Sequence, residues 1–335
     1  MLNVLTSFGI VVIIVALGFF VGRRGILGTG AVYTLNMYVY WIALPATLLH
    51  FLTTTDVSTL FGMNLAVVAL STVIMAALGY VVYRHVRGWL LRSRMASKNG
   101  SGDPTPSRAD SIIAMLTVSY CNGSNLGIPL AAHLLGDASV TLPVILFQVG
   151  FFGPLSVLML DLASQDSGRH RSGPSLFSEI VLTIVRNPLI ITSVVGIILA
   201  VVRKQFGFEL PALVAEPIQL ISSATIGVAL IAFGMSMAET RVLDPETSPR
   251  RSVWIASIAK VTLHPLVAWV LGAVVFGVTG KLLLVIVLLA ALPTGRNVYT
   301  YAVRFGQNTI LARDAAVVST LLSMPVMAGI VMLLG

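Results

Sequence analysis

The sequence predicts an all-α integral membrane protein of ten transmembrane helices, and three features carry that prediction. Hydrophobic residues make up 56% of the 335 residues and charged residues only 10%, where a soluble chain is about one-quarter charged. Mean hydropathy is +0.94. Whole windows carry no charge, among them Leu2 to Val21 and Leu282 to Gly295, and about 20 such residues in a helix cross ~30 Å of hydrocarbon. Closed β-barrels are the other spanning solution, but they show alternating polarity instead of solid apolar runs.

The ten spans lie near 3–22, 32–52, 62–83, 111–133, 140–161, 181–202, 213–238, 252–276, 282–304 and 311–334. The first has no basic residue before it and ends in Arg23-Arg24, the reverse of a secretory signal, and is expected to be retained. The second and third are apolar runs between polar connections. The fourth and ninth are interrupted by residues that suit a helix poorly. The fifth carries Gln148 and ends at Asp161; the eighth carries Lys260 and His264 just before Pro265. Polar or basic connections separate nearly all ten.

Lysine and arginine are sorted among those connections. Odd-numbered loops hold fifteen, even-numbered loops only Arg203, Lys204 and Lys281. Cytoplasmic loops are enriched in these residues, so both termini are expected outside the cytoplasm of an inner (plasma) membrane. The formal charge of +8 is thereby a topology signal, and nucleic acid is not needed to explain it.

Ser93 to Ala109 and Ser164 to Ser175 are rich in Ser, Gly and Pro and read as linkers. The second falls mid-chain, giving a first five-helix repeat at 1–161, a cytoplasmic linker at 162–180 and a second repeat at 181–335. Five is odd, so the second repeat is inverted in the membrane, an arrangement common among transporters. The fourth helices of the two halves align Asn125 with Asn297, Gly123 with Gly295 and Asn122 with Thr294.

Those helices carry the candidate chemistry. Glycine and asparagine are weak in helix interiors, and proline costs roughly 3 kcal/mol relative to alanine. Span four crowds Asn122, Gly123, Ser124, Asn125, Gly127 and Pro129 together; span nine crowds Pro293, Thr294, Gly295, Arg296 and Asn297. Irregular backbone at membrane depth survives only beside protein or a wet cavity, and paired breaks point to a transport site. Free N–H groups at half-helix N-termini suit an anion. The alternative is that these are packing kinks, since Gly and Pro are common in membrane helices.

Arg296 lies about fifteen residues from Lys281 and eight from Arg304, well inside the span, where arginine costs roughly 2.5–3.5 kcal/mol. It contacts an anionic substrate, snorkels to the cytoplasmic face, or pairs with an acid. Lys260 and His264, four apart, share one helix face. They form a coupling relay, histidine titrating near neutrality, or an interfacial lysine beside a hydrogen-bonded histidine. His50 and His133 sit near span ends and read as structural. A single cysteine, Cys121, excludes an intramolecular disulfide. No His-rich or Cys-rich metal cluster, nucleophile–base set or Walker motif is present, so neither enzyme activity, cofactor nor direct ATP use is expected.

At these two segments the chain resembles the auxin efflux carrier family, which includes bacterial malonate-type transporters. The matching pieces are Asn122 to Pro129 and Leu292 to Asn297, with Leu44-Pro45-Ala46, Arg186-Asn187-Pro188 and Gly234 to Ala238; together they run over essentially the whole chain. The resemblance implies two broken helices that cross beside the substrate carboxylate. It also implies a scaffold of spans one, two, six and seven, and a mobile unit of spans three to five and eight to ten. It carries substrate contact to Asn122, Gly123, Asn125, Pro293, Thr294, Gly295 and Asn297. Two residues depart from the family: Cys121, where plant members often have proline, and Arg296, at a usually uncharged position. The long cytoplasmic loop of the plant members is missing, and auxin specificity does not transfer simply.

The resulting expectation is a secondary transporter of a small organic anion, malonate-like or another carboxylate, working by alternating access in an elevator-like movement. A proton or sodium ion is the candidate coupling ion, and membrane lipid and a second copy of the chain are the other candidate partners. The rivals are a sodium- or proton-coupled ion exchanger, which needs deep carboxylates that these spans lack, and a membrane sensor that does not transport.

Overall fold

The computed structural model describes residues 2–54, 62–87, 106–128, 130, 131, 135, 138–165, 185–238 and 242–335. Most of both expected linkers, with Pro129, His133 and Glu239, lies outside the described residues. Within them the chain is helical apart from turns, loops and one isolated β-bridge. Helix α1 is Leu2–Arg24; α2 is Ala31–Thr54 and α3 Met63–His85. Helix α4, Arg108–Ser119, stops short and is followed by a π-helical turn at Gly123–Gly127. Helix α5 is Ser139–Ser164, α6 Pro188–Phe206, α7 Ala212–Ala238 and α8 Arg250–Val275. Helices α9, Gly280–Ala290, and α10, Arg296–Phe305, are two halves with a break between them. Helix α11, Thr309–Leu334, ends the chain. Among the described residues, seven of these helices are long and apolar enough to cross a bilayer: α2, α3, α5, α6, α7, α8 and α11.

Local chemistry sets several boundaries. The Ser107 hydroxyl accepts from the Asp110 N–H at 2.9 Å and caps α4, with Asp110 itself in the favourable first turn. The α6 start at Pro188 is a correction to the expected span from 181. Asn187 caps it by accepting from the Leu189 N–H at 2.9 Å, and Pro188 takes the first position, where its missing N–H costs nothing. Helix α5 likewise runs on to Ser164, two residues past the expected linker start at 162.

Prolines inside helices shape three others. Pro45, Pro154 and Pro265 each follow, after one intervening residue, a π-helical turn: Val39–Ala43, Gln148–Phe152 and Ala259–Leu263. A proline cannot donate to the carbonyl one turn back and crowds it; widening the preceding turn relieves both problems. Such turns also re-aim their side chains, and here they present Gln148 and Lys260.

Packing divides the helices into two groups. Helix α7 packs on α1 and α2, and α2 packs on α6, while α3, α4 and α5 pack with α8 to α11. In the first group, α1 meets α7 through glycines: a Cβ at Gly22 would stand 2.8 Å from Met235 Cα, and one at Gly234 would overlap the Val15 carbonyl oxygen. Close backbone approach of this kind drives helix association where no aqueous hydrophobic effect acts. The Thr225 hydroxyl on α7 lies 3.1 Å from the Ala43 carbonyl and 2.9 Å from the Thr47 hydroxyl of α2. Outward faces are apolar: Ile13, Leu17, Val194, Ile198, Val274 and Leu321 are exposed, as expected for surfaces against lipid tails.

Candidate functional site

The two interruptions meet. After α4 the chain extends through Tyr120, Cys121 and Asn122; after α9 it extends through Pro293, Thr294 and Gly295. Cys121 and Thr294 form an antiparallel bridge. The Asn122 N–H donates to the Pro293 carbonyl at 2.8 Å, and the Gly295 N–H donates to the Tyr120 carbonyl at 2.9 Å. The bridge uses only the carbonyl of Pro293, so its missing N–H leaves no gap. Space at the crossing is tight: a Cβ at Gly295 would lie 2.8 Å from Tyr120 Cδ1 and 2.9 Å from the Cys121 carbonyl oxygen. Only glycine lets the two strands approach this closely.

From the crossing, two short helical segments begin side by side. The π-helical turn at Gly123–Gly127 starts after Asn122, whose carbonyl accepts from the Gly127 N–H at 3.0 Å. Helix α10 starts after Gly295, which provides no side-chain cap. Both N-terminal ends open on one cavity of about 450 Å³. Its walls include Asn122, Gly123 and Asn125 from the first break and Gly295, Arg296 and Asn297 from the second. Helix α2 contributes Asn36 and Tyr40, α5 contributes Gln148, and α10 adds Tyr301 and Arg304. The starts of two helical segments and two arginines, Arg296 and Arg304, therefore line a pocket whose remaining walls are largely apolar and aromatic.

The candidate residues divide. Six of the eight expected substrate contacts line this cavity; Pro293 and Thr294 do not. The Thr294 hydroxyl donates to the Thr117 carbonyl at 2.6 Å, and its N–H donates to the Ser319 hydroxyl at 3.1 Å. Both residues hold the crossing from behind. The Asn297 amide donates to the Tyr120 hydroxyl at 3.2 Å, which fixes the asparagine over the break, and Tyr120 stacks on Phe152 with centroids 5.9 Å apart.

Lys260 and His264 also lie outside the cavity. Lys260 is fully buried within the protein. Its ammonium donates to the Ala290 carbonyl at 2.8 Å, sits 3.1 Å from His264 Nδ1 and 3.3 Å from Cys121 Sγ. It thus places a cation at the C-terminal end of half-helix α9, the negative end of its dipole, and touches the first break through Cys121. Gln148 is a cavity residue that the pattern of breaks did not single out. Its only mark in the sequence is a carboxamide within an apolar span.

A membrane transport protein family model matches residues 103–331. The chain is also similar to several plant proteins. These include the probable auxin efflux carrier component 1d of Oryza sativa subsp. japonica, 27% identical over 52% of this chain and 32% of that protein. Auxin efflux carrier component 1 of Arabidopsis thaliana is 29% identical over 45% and 24% respectively. Auxin efflux carrier component 5 of Arabidopsis thaliana is 25% identical over 65% of this chain and 68% of that protein. The chain spans a third or less of the length of the first two. A multi-span helical chain that breaks two helices against each other, and that the family model matches over both breaks, belongs to the membrane transport protein family of the auxin efflux carriers.

Proposed function

We propose that this chain is a transporter that moves a small organic anion, malonate-like or another carboxylate, by alternating access. One observation carries this reading: two half-helix N-termini open on the same cavity, with Arg296 in its wall. Peptide N–H groups and a guanidinium hold a carboxylate with no mobile counter-ion. Asn122, Asn125 and Asn297 supply neutral polar contacts, and the aromatic and apolar walls accept the organic body.

The ten spans form two inverted five-helix repeats, with α4 plus the π-helical turn and α9 plus α10 as the fourth span of each. The packing of α7 on α1 and α2, and of α2 on α6, supports a fixed scaffold, past which the group bearing both breaks slides as an elevator. The sorting of basic residues between loops supports an inner-membrane protein with both termini outside. Lys260 and His264, buried behind the crossing and in contact with it, are the proposed coupling pair.

The test is [¹⁴C]malonate flux in proteoliposomes. A lost charge-assisted contact is worth about 1.5–3 kcal/mol, so Arg296→Ala is expected to raise KM about 10- to 100-fold, with Arg296→Lys between. Saturable flux that Arg296→Ala leaves unchanged removes the arginine from the anion site. Absence of flux for every mono- and dicarboxylate tried removes the substrate class.

A further inference from the structure

Extended backbone has two edges, and the bridge between the breaks uses only the inner one of each strand. The Tyr120 carbonyl and Asn122 N–H face the second strand. The N–H and carbonyl of Cys121 itself therefore point the opposite way, into the interior of a membrane protein, where an unpaired peptide group costs several kcal/mol. Gln148 meets both. With its carboxamide nitrogen toward the Cys121 carbonyl, it donates there at 2.8 Å and accepts from the Cys121 N–H at 3.1 Å. The opposite orientation would set oxygen against oxygen and N–H against N–H, so the network determines the orientation. The side chain is buried at 3% exposure. Its amide acts as a third strand one peptide long.

The second strand has its own outer edge, and Ser319 accepts from its Thr294 N–H at 3.1 Å. Gln148 lies on α5, the helix that follows the first break; Ser319 lies on α11, the helix that follows the second. The two caps differ in one respect that matters: Gln148 is part of the cavity wall and Ser319 is not. The π-helical turn that opens at Gln148, itself a consequence of Pro154, is what carries the side chain to this place.

We infer that Gln148 is a positioning residue of the anion site, clamping Cys121 so that the Asn122 amide and the peptide groups from Gly123 onward stand where substrate is held. The inference rests on the carboxylate reading for its effect on transport, but not for its effect on the crossing. Cys121 is the chain's single cysteine and sits on the clamped residue, so its alkylation by N-ethylmaleimide reports on the crossing whatever the substrate.

The experiment compares wild type, Gln148→Met, Gln148→Glu and Ser319→Ala in proteoliposomes by two readouts: the rate of Cys121 alkylation and the KM for [¹⁴C]malonate. KM is independent of the amount of folded protein, so a purely structural loss does not move it. Gln148→Met removes two hydrogen bonds and is expected to speed alkylation about tenfold and to raise KM by a similar factor. Gln148→Glu keeps the acceptor for the Cys121 N–H, loses the donor and adds negative charge to the cavity wall, so its KM rises further. Ser319→Ala speeds alkylation and changes KM less. Unchanged alkylation in Gln148→Met overturns the clamp, even if KM changes, because Gln148 would then act by touching substrate directly. Faster alkylation with unchanged KM overturns the positioning role. Faster alkylation in a protein that moves no malonate supports the clamp and overturns the carboxylate reading alone. Should Gln148→Met not fold, Gln148→Asn, one methylene too short to reach both groups, carries the same two readouts.

Discussion

Gly295→Ala is the sharpest probe of the crossing. The backbone φ at Gly295 is −69°, an ordinary value for alanine, so the substitution adds no backbone strain and only space is at issue. The new Cβ would stand 2.9 Å from the Cys121 carbonyl oxygen, whereas ordinary contact begins at 3.4 Å, so the strands must separate by roughly 0.5 Å. The Gly295 N–H to Tyr120 carbonyl bond, now 2.9 Å, then stretches beyond the usual ~3.2 Å limit. An overpacked methyl costs about 1–3 kcal/mol, and a buried peptide pair left unsatisfied about 1–3 kcal/mol, together about 2–6 kcal/mol. The control is Gly227→Ala on α7, where nothing lies within 4 Å of the added Cβ. Thermal unfolding of the purified protein is expected to show a lowered midpoint for Gly295→Ala and none for Gly227→Ala, with a raised malonate KM for the former alone. Equal midpoints for the two variants would refute the close crossing.

Three other perturbations follow from the same contacts. The Asp314 carboxylate on α11 is fully buried and receives the Ser248 hydroxyl at 2.6 Å, the Leu243 N–H at 3.1 Å and Arg313 Nε at 2.8 Å; Asp314→Ala strands donors in the α7–α8 loop and is expected to cost about 2–4 kcal/mol, read as accelerated proteolysis of that loop. Thr225→Val removes the tie between α7 and α2 near Ala43 and Thr47, a loss of about 0.6–1.7 kcal/mol for an interhelical bond in a membrane, visible as a small fall in unfolding midpoint. Lys260→Met keeps the stem and removes the ammonium. If Lys260 and His264 carry the coupling proton, this variant retains malonate counterflow between the two sides of the vesicle but no longer accumulates malonate under an imposed proton gradient. Retained accumulation would assign Lys260 to structure alone.

Much of this protein is legible along the chain. Long uncharged runs mark membrane helices because no peptide group or charge can be left unpaired in hydrocarbon. Asn122, Gly123, Asn125, Gly295, Arg296 and Asn297 stand out for the converse reason: residues that disrupt helices or carry charge are costly at that depth and must be compensated. Boundaries were less legible where a cap decides them; Asn187 and Pro188 move the start of α6 by several residues, although the preceding stretch is equally apolar.

What the order of residues alone determined is the membrane class, the positions of the two breaks and the polar and charged residues gathered at them. These depend on composition and local backbone preference. Only the tertiary structure decided that the breaks pair edge to edge, that Pro293 and Thr294 face away from the cavity, that Lys260 is fully buried behind it and that Gln148 covers the open edge of Cys121. Each of these depends on which side of an extended strand a group points to and what packs there. A glutamine or lysine in an apolar helix has the same local signature whether it meets a strand, a substrate or another helix, so its partner exists only in three dimensions.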